Sequence, residues 1–270
     1  MSNPTPLLSV RGLTKRFGGL TAVSDLDFDL EPGEILAIIG PNGAGKSTTF
    51  NLICGAMPPT AGTVTLEGRR IDGLQPNRIA ELGIYRTFQH NMPFKGMSVT
   101  DNILVGRHAR RASSLWSVLL GRASVAEAER AARDKVLDIA RFVGIDTLLD
   151  ADVTTLSFGQ GRLLEIARAL AGEPKILLLD EPAAGLTLSE CARLFDLIKD
   201  VARQGISVLL IEHDMHFLLP LTDRIVVLNF GGKIAEGTSS EVRANPAVVD
   251  AYLGKLGAAS ENVGAFHASR

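Results

Sequence analysis

The sequence predicts an α/β fold built around a mostly parallel sheet. Short runs of aliphatic and β-branched residues alternate with stretches of helical periodicity, which is the pattern of strand–helix–strand units. The runs Glu34–Ile39, Lys175–Leu179 and Ser207–Ile211 are almost continuously apolar, as is typical of parallel strands covered on both faces. Between the last two runs, Ser189–Arg203 carries apolar residues at helical spacing. We therefore expect parallel strands with helices between them.

Antiparallel strands are predicted toward both ends of the chain. The N-terminal ones alternate with turn residues and are Leu7–Val10, Leu26–Leu30 and Thr63–Leu66. Near the C-terminus, Arg224–Leu228 and Lys233–Ala235 are joined across a glycine pair, which predicts a hairpin. The stretch 98–144 is helical in pattern and contains no buried-strand run, so a separate helical lobe is expected there.

Composition and charge exclude several classes of protein. The chain has 270 residues, and 28 Lys+Arg against 30 Asp+Glu argue against a strongly basic nucleic-acid binder. No apolar run approaches the ~20 residues of a transmembrane helix. The N-terminus lacks the features of a signal peptide, and the two cysteines form neither a disulfide framework nor a metal-binding pattern. We therefore expect a cytosolic globular protein.

A glycine-rich loop predicts a nucleotide site. Residues 40–47 fit G-x-x-x-x-G-K-[ST] and lie between the strand Glu34–Ile39 and a predicted helix, Lys46–Cys54. Glycines let the backbone wrap a phosphate chain, and the helix N-terminus supplies N–H donors. Lys46 is expected to reach the β- and γ-phosphates, and the Ser47 hydroxyl to ligate Mg²⁺. The alternative, a turn that binds nothing, is disfavoured because every fixed position is present. The predicted nucleotide-binding residues of this segment are Gly40, Asn42, Gly43, Gly45, Lys46, Ser47 and Thr48.

Two carboxylates follow a predicted buried strand. Lys175–Leu179 leads directly into Asp180 and Glu181, at the strand end where open parallel sheets bind ligands. Asp180 can hold Mg²⁺, and Glu181 can orient or deprotonate an attacking water. A solvated acid pair at a strand end is the alternative. Because a catalytic acid adjoins the metal-binding acid, hydrolysis is favoured over transfer to a second substrate.

A third motif points to one family. Leu156–Gln160, LSFGQ, precedes Asp180 and begins a predicted helix, and it resembles the LSGGQ signature of the ATP-binding subunits of ABC transporters. Ser157 can cap that helix and Gly159 lets backbone amides approach an anion, although an ordinary N-cap is the alternative. The resemblance covers Leu7–Gly254. It implies a phosphate-loop (RecA-like) fold, with a mostly parallel sheet, an antiparallel β subdomain and a helical signature subdomain.

The resemblance also implies roles for residues outside these motifs. Gln89 resembles the glutamine that senses Mg²⁺ and the attacking water, His213 the switch histidine that contacts the γ-phosphate, and Phe17 the aromatic that stacks on adenine. Packing or surface positions are the alternatives for Gln89 and Phe17, and His216 is interpreted as structural. Ser157, Gly159 and Gln160 are expected to bind nucleotide as the signature. Thr187 departs from the family, which has Asp or Asn there reaching across a dimer interface.

Within that family the chain most resembles the ATPase subunits of branched-chain amino acid importers. The similarity is carried by LTKRFGGLTAV, YRTFQHNMPFKGMSVTDNILVGRH, LDEPAAGL and IAEGTSSEVRANPAVVDAYLG. It implies an ATP-hydrolysing, energy-coupling subunit that uses ATP and Mg²⁺ and works as a head-to-tail dimer with ATP sandwiched between subunits.

Partners and a location are implied in the same way. The expected partners are transmembrane permease subunits, a second ATPase subunit (identical or a paralogue) and, indirectly, a periplasmic or extracellular solute-binding protein, with no nucleic acid. The expected location is peripheral, at the cytoplasmic face of the inner (cell) membrane. Asn91–Val99 is the expected permease contact; alternatively, Phe94 and Met97 fill the core of the helical lobe.

Other functions stay open. The same ATPase could serve urea or amide import, or lipopolysaccharide export. A soluble, non-transport ABC ATPase is disfavoured because the chain has one cassette, no heptad run and no basic excess.

The predicted domain organisation follows the resemblance. One ABC ATPase domain is expected over 1–256, with the core at 1–89 and 161–236, the helical subdomain at about 90–160 and a C-terminal helical extension at 237–256. Residues 257–270 are expected to form a flexible tail.

Overall fold

The computed structural model describes residues 5–87, 93–107 and 122–252, without the side chains of 122–129. The described residues form the strands β1 (Leu8–Phe17), β2 (Leu20–Leu30), β3 (Ile35–Ile39), β4 (Ala61–Leu66), β5 (Arg69–Arg70), β6 (Ile84–Arg86), β7 (Ile176–Asp180), β8 (Ser207–Ile211), β9 (Arg224–Asn229) and β10 (Gly232–Gly237). They form the helices α1 (Lys46–Ile53), α2 (Pro76–Glu81), α3 (Val99–Gly106), α4 (Arg122–Val143), α5 (Phe158–Ala171), α6 (Leu188–Arg203), α7 (Met215–Leu218) and α8 (Ser239–Ala244).

The chain divides into two compact units. The first comprises the described parts of Met1–Ile53, Met57–Gly73 and Leu210–Arg270, and the second comprises those of Cys54–Ala56 and Leu74–Leu209. The predicted subdomain boundaries and the predicted tail stay predictions.

An antiparallel sheet with the order β2-β1-β4-β5 lies in the first unit. Leu8 and Val10 are fully buried at alternate positions, as a strand with one covered face requires, and Leu13 is fully buried after a shift in register. The three predicted N-terminal strands are present, but β1 and β2 are longer than predicted and meet in a hairpin at Phe17 and Leu20. Irregular register between Val10 and Leu13 interrupts the alternation, which explains why periodicity alone found only part of each strand.

The first unit also contains β3, β9 and β10. β3 pairs in parallel with β9, and β9 pairs with β10 in the predicted hairpin. All five residues of β3 are buried. The loop after β3 leads into α1, so the predicted strand–loop–helix order is confirmed.

The second unit combines parallel strands with helices. β6 pairs in parallel with β7, and all five residues of β7 are buried. The three-residue β6 was not among the predicted strands because its run is too short to show a period. The predicted helix Ser189–Arg203 is α6, whose buried residues include Leu194 and Leu197. Of the predicted helical lobe, α3 and α4 lie within the described residues.

No helix in the described part of the chain is both long and apolar enough to cross a membrane.

Candidate nucleotide-binding and hydrolysis site

The glycines of the phosphate loop are required by the backbone. Gly40, Gly43 and Gly45 have φ angles of 151°, 81° and 101°, which side-chain-bearing residues rarely adopt. A Cβ on Gly40 would lie 2.1 Å from the carbonyl oxygen of Leu228, and one on Gly45 would lie 2.4 Å from that of Ala22. The loop therefore depends on glycine both for its conformation and for its close contacts with neighbouring strands.

Lys46 is the first residue of α1 and is buried. Its Nζ donates to the carbonyl oxygens of Gly40 at 2.7 Å and Pro41 at 3.1 Å, so the ammonium is held against the loop. The first turn of α1 contains no acidic residue, so nothing there offsets the positive end of the helix dipole. Ser47 and Asn42 are exposed. A loop of this kind suits a phosphate, because a helix N-terminus, a lysine and a hydroxyl lie next to one another in it.

Phe17 and His213 also lie in the first unit, and both are exposed. Phe17 is the last residue of β1 and is 47% exposed. Lys15 Nζ lies 5.2 Å from the centroid of its ring. A half-exposed ring of this kind is able to stack on a base. His213 follows β8 closely, and the ring of His216 is exposed on the short helix α7.

A buried carboxylate shapes the backbone at His213. Glu212 is 1% exposed, and its Oε2 accepts from the backbone N–H of His213 at 2.9 Å and lies 3.6 Å from His213 Nδ1. Glu212 was not among the predicted site residues, because an acid at a strand end carries no signal of burial.

Asp180 and Glu181 lie in the second unit, where β7 ends. Asp180 is 1% exposed, and its Oδ2 accepts from Arg86 Nη2 at 2.7 Å. Among the described residues, Asp180 Oδ1 has no hydrogen-bond partner. Glu181 has a φ of 48°, in the left-handed region, where a residue other than glycine is strained. Arg86 was not predicted as a site residue; its only signal was its position three residues before Gln89.

The signature segment forms one end of a cavity in the second unit. Ser157 caps α5: its Oγ accepts from Gln160 N at 3.2 Å, and Gln160 Oε1 accepts from Ser157 N at 2.8 Å. The cavity has a volume of about 170 Å³, and its lining includes Ser157, Gly159, Gln160, Arg162 and Arg193. A Cβ on Gly159 would lie 2.2 Å from Glu190 Oε1, so a larger residue there would require the Glu190 side chain to move. The three predicted signature residues are thus together, at a helix N-terminus in a cavity that is also lined by Glu190.

Thr187, which departs from the Asp or Asn of the family, is the N-cap of α6. Its Oγ1 donates to Glu190 Oε2 at 2.8 Å, and Glu190 Oε2 also accepts from Thr187 N at 2.9 Å. The backbone N–H and the hydroxyl of Thr187 lower the pKa of Glu190. Leu188 beside it is 92% exposed. The hydroxyl is therefore engaged within its own helix.

Gln89 and Tyr252 lie outside these segments. Gln89 is not among the described residues, so its predicted role stays a prediction. Tyr252 ends the helical residues 246–252 and was not among the predicted site residues. Burial raises its pKa to about 12, while a hydrogen bond from the Gly40 backbone acts in the opposite direction. The C-terminal extension thus contacts the first glycine of the phosphate loop.

Comparisons with known proteins identify the family. A family model described as ABC transporter matches residues 23–184, and one described as branched-chain amino acid ATP-binding cassette transporter matches residues 233–256. The chain belongs to the ABC transporter family, whose ATP-binding subunits bind nucleotide and hydrolyse ATP in support of transport. The predicted family and fold class are confirmed.

Relatives match over nearly the whole chain. The chain is 43% identical to the high-affinity branched-chain amino acid transport ATP-binding protein LivG of Escherichia coli K12, over 93% of this chain and 98% of LivG. It is 41% identical to BraF of Pseudomonas aeruginosa, which has the same description, over 93% of this chain and 98% of BraF. Among solved structures, the ADP conformation of MJ1267, an ATP-binding cassette of an ABC transporter, is similar with a TM-score of 0.81 and 33% identity, covering 93% of this chain and 99% of that one.

Proposed function

We propose that this chain is the ATP-hydrolysing, energy-coupling subunit of an importer of branched-chain amino acids. The observation that carries the proposal is the similarity to LivG and BraF, which extends from the antiparallel strands through the phosphate loop into the C-terminal extension. That extension is the part matched by the branched-chain amino acid model, at residues 233–256. Urea or amide import and lipopolysaccharide export would use the same ATPase chemistry, but no feature of the described residues favours them.

Mg²⁺ fits the donors that this chain offers. Asp180 Oδ1 is a buried carboxylate oxygen for which the described residues provide no hydrogen-bond partner, and Ser47 has an exposed hydroxyl. Within the described parts of the chain, no group of three or more His, Cys, Asp or Glu residues could hold a metal alone. This suits Mg²⁺, which is commonly bound by one or two protein oxygens together with phosphates and waters. When bound, Mg²⁺ neutralises charge that develops on the phosphate oxygens.

The chain's own residues have separate roles in binding and hydrolysing ATP. Lys46 and the loop N–H groups bind the phosphates, and Phe17 stacks on the base. Glu181 orients or deprotonates the attacking water, which is the step that a general base accelerates. His213 contacts the γ-phosphate, and Gln89 keeps the role that the resemblance implies.

The signature residues act on a second subunit's nucleotide. Ser157 and Gly159 lie at the N-terminus of α5, where backbone N–H groups favour an anion. We infer that two ATPase subunits, identical or paralogous, enclose ATP head to tail, and that ATP stabilises this closed state more than its products do. Binding and hydrolysis then drive closing and reopening.

The predicted segment Asn91–Val99, of which 93–99 are described, is the proposed permease contact. Phe94 is 47% exposed, so it does not fill a core, and its backbone is held by the buried Asn102 through bonds of 2.8 and 3.2 Å. The Arg168 guanidinium lies 5.4 Å from the ring centroid. A fixed, half-exposed aromatic side chain suits docking onto a membrane protein, which would hold the chain at the cytoplasmic face of the membrane.

Purification from native membranes tests this function. The tagged chain should recover two membrane proteins, a second ATPase and an amino-acid-binding protein. Leucine uptake should be restored to a deletion strain by the wild-type chain and by Glu173→Gln, an exposed control, but not by Glu181→Gln. Recovery without a membrane partner, or restored uptake of urea but not of leucine, would contradict the proposal.

A further inference from the structure

The carboxylate of Asp180 is paired with one particular cation. β6 and β7 are parallel neighbours, with Arg86 opposite Leu178, so the side chains that end the two strands can meet. Arg86 Nη2 lies 2.7 Å from Asp180 Oδ2, and the two side chains are 14% and 1% exposed. At this distance and burial the contact is a charge-assisted hydrogen bond, among the strongest that side chains form.

The pairing is one-sided. Arginine commonly engages a carboxylate through two parallel hydrogen bonds, which would occupy both oxygens. Here the second terminal nitrogen, Arg86 Nη1, instead donates to Cys54 Sγ at 3.6 Å. As a result only Oδ2 is engaged, and Oδ1 has no hydrogen-bond partner among the described residues.

A buried oxygen without a partner is costly unless something else satisfies it. The guanidinium supplies the positive charge that a buried carboxylate needs. By holding Oδ2 the guanidinium also fixes the rotation of the carboxylate, so that Oδ1 is always the oxygen without a hydrogen bond. Outer ligand-orienting groups of this kind commonly change metal affinity by roughly 10–100-fold when they are removed.

We propose that Arg86 is a positioning residue for the Mg²⁺ site: it binds Asp180 Oδ2 and thereby presents Oδ1 to the metal. This inference rests on the proposed role of Asp180 as a Mg²⁺ ligand. Arg86 does not touch the nucleotide in this scheme; it acts through Asp180 alone. Its loss should therefore change the response to Mg²⁺ and leave metal-free nucleotide binding unchanged.

The test measures binding of a fluorescent ADP analogue to the full-length chain. In EDTA, Arg86→Gln should bind the analogue within about twofold of wild type. In a Mg²⁺ titration, the concentration at half-maximal enhancement of binding should rise by roughly tenfold or more, with partial recovery in Arg86→Lys. Arg78→Gln, which breaks an exposed pair with Glu81 in the same unit, should match wild type in both. An unchanged Mg²⁺ response in folded Arg86→Gln would overturn the inference.

Asp180→Asn separates this inference from the proposed function. If Asp180→Asn keeps the wild-type Mg²⁺ response, Asp180 is not the ligand and the proposed function fails at that residue. If Asp180→Asn loses the response while Arg86→Gln keeps it, only the role of Arg86 fails. The double variant should lose no more of the Mg²⁺ response than Asp180→Asn alone, because both substitutions act through the carboxylate of Asp180.

A measurement without substitution covers the case in which Arg86→Gln does not fold. The Nη resonances of a ¹⁵N-arginine-labelled chain report whether the Arg86 guanidinium stays bonded. The bonded signal should persist when Mg²⁺ and ADP are added together. Its disappearance would mean that Mg²⁺ displaces Arg86 from Asp180, which would overturn the positioning role.

Discussion

The phosphate loop and the end of β7 each hold a charged side chain in place, Lys46 in the loop and Asp180 in the strand. The two differ in how far along the sequence the partners of that side chain lie. The carbonyls that accept from Lys46 Nζ lie five and six residues before it, in Pro41 and Gly40. The arginine that pairs with Asp180 lies 94 residues away. The Lys46 ammonium is thus held by carbonyls of its own loop, whereas the Asp180 carboxylate is held by a partner that is distant in sequence.

This difference predicts two kinds of failure. A substitution of a loop glycine should destabilise the chain through steric conflict and backbone strain, because the loop binds phosphate by its backbone conformation. A changed partner of Asp180 should fail through electrostatics, because it leaves a buried charge unbalanced. The following substitutions test that distinction, beginning with the largest expected effect.

Glu181→Gln should remove catalysis and spare binding. Loss of a general base costs on the order of 10²–10⁴ in rate, while the phosphate loop is unaltered. Phosphate release and nucleotide affinity should be measured together, with Glu173→Gln as the control. With ATP, the Glu181→Gln variant should also elute at a doubled mass on size exclusion. Normal turnover would remove Glu181 as the base.

Arg86→Met should lower the free energy of unfolding by about 3–5 kcal/mol, because it leaves the carboxylate of Asp180 buried without its partner. Arg203→Met removes an exposed ion pair with Asp200 and should cost about 0–1 kcal/mol. Urea titrations of both variants measure the difference. Equal effects would mean that Asp180 is not electrostatically dependent on Arg86.

Gly45→Ala should lower the free energy of unfolding by roughly 3 kcal/mol, since a strained φ and a backbone clash add together. Gly43→Ala has a similarly positive φ of 81° but nothing within 4 Å of its added Cβ. It should therefore cost only about 1–2 kcal/mol. Chemical unfolding distinguishes them, and indistinguishable values would show that contacts around the loop do not matter.

Thr187→Ala should cost about 1 kcal/mol through loss of the α6 cap, and Thr187→Ser should restore most of it. Thermal unfolding, with the melting temperatures of the three chains compared, measures this. No recovery in Thr187→Ser would show that the methyl group, not the hydroxyl, matters. A local cap in the second unit should thus matter less than the long-range pair.

The same cap predicts a small pH dependence. The pKa of Glu190 is lowered in the folded chain from an ordinary value of 4.5, so its stabilising effect is present above that value and is lost as the pH falls through the folded pKa. Glu190→Gln should therefore unfold with a flatter pH dependence below about pH 5. If the free energy of unfolding depended on pH in the same way in wild type and in Glu190→Gln, this expectation would be contradicted.

The same contrast explains how much the sequence could predict. The loop, the acid pair after β7 and the LSFGQ segment were recognisable because each is contiguous, and their local conformations follow from glycine, capping and strand patterns. The helix predicted at Ser189–Arg203 was found within one residue of its start. The hairpin of β9 and β10 was likewise local.

What the sequence could not predict depends on tertiary contacts. Arg86 lies in a strand of three residues whose partner is β7, and nothing near it in sequence indicates a bond to Asp180. Glu212 and Tyr252 are notable only because folding buries them in part or entirely. For Thr187, the sequence indicated a departure from the family but not that its hydroxyl caps α6.

The most direct test of the proposed function is ATP hydrolysis by the complex recovered from native membranes and reconstituted in liposomes with its amino-acid-binding protein. We predict that leucine stimulates hydrolysis by the wild-type complex and that the Glu181→Gln complex stays inactive with or without leucine. Hydrolysis by the Glu181→Gln complex at the wild-type rate, or a wild-type complex indifferent to leucine, would contradict it.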